Sequence, residues 1–74
     1  MKPLNDLNTG DYATIHAIDA EQSLHQRLLA LGFRVGKKIE LIRRASFNGP
    51  LHVRIGSTDV ILRASEAQLI QISH

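Results

Sequence analysis

Apolar residues recur along this chain with two different periods. Between Gln22 and Leu31, the residues Leu24, Leu28 and Leu31 fall four and three apart, which is one face of a helix. Nearly everything after that alternates with period two, as extended strands do. The helix has a stop signal: Gly32 suits the left-handed position just past a helix end, and Phe33 then falls where it packs back on Leu28. At the other end, Asp19 is a candidate cap with Gln22 three residues on, and Ser23 is an alternative that starts the helix later. About three turns do not hold alone in water. The leucine stripe must therefore pack on a sheet, and Leu29, off that stripe, is a candidate for exposure.

The alternating segments predict five strands. Tyr12–Ile18 is the first, with Ala13, Ile15 and Ala17 on one face and Tyr12, Thr14, His16 and Ile18 on the other. Which of these faces is inward stays open. Residues 37–44 form the second, Ile39 and Leu41 inward, with Ile42 breaking the alternation as where a strand bends or is covered twice. Leu51–Ile55 and residues 58–63 make a hairpin around Gly56-Ser57, a two-residue turn of the kind with glycine first. Residues 69–72 close the set, after one helical turn signalled by Ser65-Glu66-Ala67-Gln68. Leu4 and Leu7, between Pro3 and Gly10, mark a short helical turn that tucks two leucines onto the core. The fold class is mainly β: a small five-stranded barrel with one inserted helix at about 22–31 and a one-turn helix before the last strand. Closing the sheet removes exposed edges.

Seventy-four residues are expected to make one domain, 1–74. A core this small implies a stability of a few kcal/mol, on the order of 0.1 kcal/mol per residue. There is no cysteine, so no disulfide framework or thiolate metal site forms. No apolar run has the length of a signal peptide core or the roughly 20 residues of a bilayer span. The expectation is a soluble, cytoplasmic protein without membrane insertion. The net charge of +2 is unevenly spread: residues 27–63 carry eight Lys or Arg against only Glu40 and Asp59. Such a segment attracts phosphate or an acidic partner, or is simply a solvated face.

Candidate chemistry is sparse. There is no phosphate-binding glycine loop and no paired-histidine zinc motif. Ser23 and His25 are close in sequence, but no orienting carboxylate or oxyanion-forming turn accompanies them. No catalytic residue and no cofactor is expected. His16, His25 and His52 are weak metal-ligand candidates, with His74 at the end of the chain; none pairs at i, i+4. Lys37, Lys38, Arg44, Arg54 and Arg63 can form a basic face. Nucleic acid is nevertheless not expected, since Tyr12, Phe33 and Phe47 are the only aromatics on which bases could stack. The best docking candidates are the helix surface with Arg27, Leu29 and Arg34, and the loop residue Phe47.

Four segments in order resemble the ferrous iron transport protein A family, the small cytoplasmic member of the bacterial Feo system. They are Leu4-x-x-Leu7-x-x-Gly10; Arg27-Leu28-Leu29-Ala30-Leu31-Gly32-Phe33-x-x-Gly36; Arg44-Ala45 with Gly49-Pro50 running into Leu51-x-Val53-x-Ile55-Gly56; and Leu62-Arg63-x-Ser65-Glu66-Ala67. Ser46 stands where that family often carries proline. The resemblance implies an SH3-like barrel. It also implies a non-enzymatic accessory role, docking on a membrane ferrous iron transporter that carries a cytoplasmic GTP-binding domain. A related module ends some iron-dependent repressors; a free chain of this length looks like the transport accessory. The alternatives are a metal-responsive domain using the histidines, or a small nucleic-acid-binding barrel. The oligomeric state stays open, homo-oligomers included.

Overall fold

The computed structural model describes residues 1–73. In chain order it runs β1 (Lys2–Pro3), a 3₁₀ turn (Leu4–Asp6), β2 (Tyr12–Ile18), α1 (Gln22–Ala30), β3 (Lys38–Arg44), β4 (Leu51–Ile55), β5 (Thr58–Leu62), α2 (Ala64–Ala67) and β6 (Ile70–Ser73). The strands form one antiparallel sheet in the order β1-β6-β2-β3-β4-β5. The five expected strands are present. A sixth, β1, adds two residues to β6 through the pairs Lys2↔Ile72 and Pro3↔Gln71.

The alternating residues of β3, β4, β5 and β6 supply most of the core, with Ile39, Leu41, Leu51, Val53, Ile55, Leu62, Ile70 and Ile72 all buried. Ala13 and Ile15 settle which face of β2 is inward. That alternation does not run the length of the strand. The register of β2 against β6 shifts between Ile15 and Ala17, and Ile18 beyond the shift packs against the core. A bulge at His16 inserts one residue, and one residue reverses the side of everything after it. Ile42 sits in a second register shift, between Leu41 and Arg43, where the alternation of the sequence fails.

The sheet curls round a single cluster of apolar side chains that includes Leu4 and Leu7 from the N-terminal turn and Leu28 from α1. Its end strands β1 and β5 do not pair with each other, so closure by hydrogen bonding, as the sequence suggests, is not reached. No helix among the described residues is long and apolar enough to cross a membrane.

Candidate docking site

The helix α1 is held at both ends by local chemistry. Neither Asp19 nor Ser23 caps it. Glu21 does, its carboxylate accepting from the backbone N–H of Leu24 at 2.8 Å and of Ser23 at 3.1 Å. The Ser23 hydroxyl donates to the same carboxylate at 2.7 Å. That hydroxyl, with the two backbone donors, holds Glu21 below the ordinary carboxylate range. At the far end Gly32 takes φ 102°, and Phe33 N–H donates to Leu28 O while Gly32 N–H donates to Leu29 O, both at 3.0 Å. This is the reciprocal pair of bonds of a Schellman end. Leu28 and Phe33 are fully buried, and Leu24 and Leu31 pack against the core from its margin.

Once the leucine stripe faces inward, the remaining helix positions define what is shown to solvent. Arg27 is exposed and pairs with Glu66 of α2. Burial raises the pKa of Glu66, but the N–H of Arg63 and the Arg27 guanidinium outweigh it and leave the carboxyl below its usual value. The same bond from Arg63 N–H makes Arg63, rather than Ser65, the capping position of α2. Leu29 is partly buried and Arg34, after the helix end, is exposed. Arg27 and Leu29 project about 200° apart around the axis, so they do not share a face.

Phe47 is the most exposed apolar side chain, at 102%. It stands at the tip of the loop between β3 and β4, in the turn Ser46–Gly49 closed by Gly49 N–H donating to Ser46 O at 3.2 Å. Phe47 and Asn48 both have positive φ, 58° and 60°. For a bulky residue that conformation is an outlier. The turn is also tight: a Cβ on Gly49 would lie 2.8 Å from Ala45 Cβ and 3.0 Å from Ser46 O.

The basic residues do not form one free patch. Arg54 donates from Nε and from one guanidinium NH₂ to the carboxylate of its cross-strand partner Asp59, at 2.7 and 3.2 Å. These bonds, and His52 Nε2 at 3.0 Å from Asp59 Oδ2, hold Asp59 down to about 2. The His52 approach is at ion-pair distance, without the alignment of a hydrogen bond. Lys38 lies over the ring of Tyr12, 5.5 Å from its centre, and Arg44 donates to Leu7 O. His16 is exposed on β2 and His25 partly buried on α1. Among the described residues no three His, Cys, Asp or Glu side chains converge as a metal site; His74 lies outside them.

Two features of the candidate site escape a reading of the sequence. One is the left-handed backbone at Phe47, for which Asn48-Gly49 is the only hint. The other is a groove of about 350 Å³ between α1 and β5, whose walls come from residues up to 39 apart in the chain.

Comparison with known proteins completes the picture. The FeoA domain family matches residues 2–74. A protein of Campylobacter jejuni described as a putative Fe(2+) transport protein A is 34% identical over 70 residues, covering 95% of both chains. The Fe(2+) transport protein A/Fe(2+) transporter FeoB fusion protein of Porphyromonas gingivalis is 33% identical over 69 residues. That match covers 93% of this chain but only 8% of the fusion protein, so this chain spans a small part of that relative. The crystal structure of Stenotrophomonas maltophilia FeoA in complex with zinc, described as a prokaryotic SH3 domain protein, superposes with a TM-score of 0.86 at 26% identity. It covers 99% of this chain and 91% of that one.

Proposed function

The chain belongs to the FeoA domain family, with its SH3-like fold and its role in ferrous iron transport, and from that premise we propose that it acts as a non-enzymatic docking module for the membrane ferrous iron transporter. The observation that carries this reading is the Porphyromonas gingivalis relative, in which a domain like this one and the transporter are one polypeptide. Fusion keeps two partners at high effective concentration. Without fusion the same contact has to come from affinity, and affinity needs exposed anchors.

Phe47 is the best such anchor: fully exposed, aromatic, and carried on a tight turn. A left-handed bulky residue persists only where the surroundings impose it. Substituting it should therefore remove an anchor while the core stays intact. Arg27, Leu29 and Arg34 on and after α1 are the further contact candidates. The target is the cytoplasmic, GTP-binding part of the transporter, and the module changes transport only so far as it binds two transporter states unequally.

The test is co-purification. The tagged chain, expressed in cells that hold the transporter, is expected to bring it down. Recovery of the folded chain without transporter, under conditions that retain other membrane complexes, overturns the reading.

A further inference from the structure

We propose that the free edge of β5 takes one extended acidic–apolar segment of a partner as an added strand. In the β4–β5 hairpin, Ile55 and Thr58 flank a two-residue turn and face each other, as do Val53 and Val60. In such a ladder the N–H and C=O of Asp59 and Ile61 point away from β4. Among the described residues no backbone or side-chain group takes up these four groups, and β5 pairs with no strand but β4. An open row of this kind is a template for another strand.

The space beside it is already shaped. Val60, Ile61 and Leu62 all line the groove of about 350 Å³. Successive strand residues point to opposite faces, so three in a row meet one cavity only along the strand's edge. The far wall is Arg27 of α1, Leu31 just past its end and Glu66 of α2, a boundary that suits one isolated strand rather than the edge of a second folded sheet. Ile61 is 64% exposed, an apolar residue on a face otherwise polar.

The charges set the chemistry of the occupant. Asp59, the one carboxylate on the strand, is held by Arg54. The groove holds two guanidinium groups, Arg27 and Arg63, against one carboxylate, Glu66, which pairs with Arg27; among the described residues Arg63 makes no salt bridge. A segment that alternates apolar and acidic residues matches both faces of this edge: apolar side chains on the side of Ile61, and carboxylates on the other side, toward Arg63 in the groove. This fit does not depend on which protein supplies the segment.

The experiment uses a fluorescein-labelled peptide, Glu-Val-Glu-Ile-Glu-Val, titrated onto the full chain and followed by anisotropy and by amide NMR. Saturable binding is expected, with the largest changes at the Asp59 and Ile61 amides. The lysine-for-glutamate peptide should bind about tenfold more weakly. Arg63→Glu should reverse that preference, and Ile61→Asn, which removes the apolar contact without adding charge, should weaken the acidic peptide by about tenfold. Both side chains are exposed, so both variants are expected to fold. Methylating the peptide's backbone nitrogens should abolish binding, because the ladder hydrogen bonds go. The proposal is overturned by no saturable binding up to millimolar peptide, by changes centred elsewhere, or by unchanged affinity of the methylated peptide. It is equally overturned if the Asp59 and Ile61 amides change with chain concentration alone, which places a second copy on the edge. None of these results bears on whether the transporter is a partner.

Discussion

Two phenylalanines of this chain sit at left-handed turns and meet opposite fates. At the end of α1, glycine takes the left-handed position, with φ 102° at Gly32, and the neighbouring Phe33 is fully buried. At the tip of the β3–β4 loop, Phe47 itself takes the left-handed position, with φ 58°, and is fully exposed. The first turn puts the residue that tolerates the conformation at the strained point and uses the aromatic ring for packing. The second puts the ring at the strained point and buries none of it. The contrast separates a site shaped by folding from one that folding does not explain, and it is why docking is assigned to the second.

Substitution can break or sharpen this contrast. Phe33→Ala removes a wholly buried aromatic and should cost about 3–5 kcal/mol, most of what a domain of this size has; chemical denaturation should show an unfolded or barely folded chain. Gly32→Ala keeps space, the nearest atom to a new Cβ being Ile55 Cγ2 at 3.8 Å, but forces alanine into the left-handed region. It should cost about 1–2 kcal/mol by the same assay. Phe47→Gly should go the other way: relief of the same strain, offset by the added freedom of the unfolded chain, leaves a gain of at most about 1 kcal/mol. A loss of stability there would mean that the ring packs after all. Smaller still is Arg27→Ala, which breaks an exposed pair with Glu66 and should cost less than about 1 kcal/mol, shrinking with added salt.

The Arg54–Asp59 contact supplies a control on the outer face. Asp59 is held at about 2 against an ordinary 3.8, so its pairing favours the folded state above 3.8 and is lost as the pH falls toward 2. Arg54→Ala should move the Asp59 titration back toward 3.8, as followed by NMR of its carboxyl carbon. No movement would show that the pair does not form in solution.

Much of the fold could be read from the sequence because its elements carry period or punctuation. The strand Tyr12–Ile18 and the helix stopped by Gly32 are of that kind, and the failed alternation at Ile42 marks a real bulge. What could not be read lacks such a mark. Two residues, Lys2 and Pro3, are too few to show a period. The bulge at His16 falls in a segment that alternates as far as Ala17; its one trace in the sequence is the apolar Ile18 directly after Ala17, and pairing with β6 places it. Glu21 caps α1 in place of Asp19 or Ser23 because the chain enters the helix extended, which brings that longer carboxylate onto two free N–H groups. The candidate site was legible only in part. Phe47 stands out as an aromatic in a turn, but its backbone strain and the open edge of β5 follow from how distant segments meet.

The most direct test is the affinity of the chain for the cytoplasmic part of the ferrous iron transporter proposed as its partner, by calorimetry, for wild type and Phe47→Glu at matched unfolding midpoints. Binding by the wild type and a loss of about tenfold or more in the variant is the predicted result. Equal binding by both would contradict the assignment of the loop tip as the anchor.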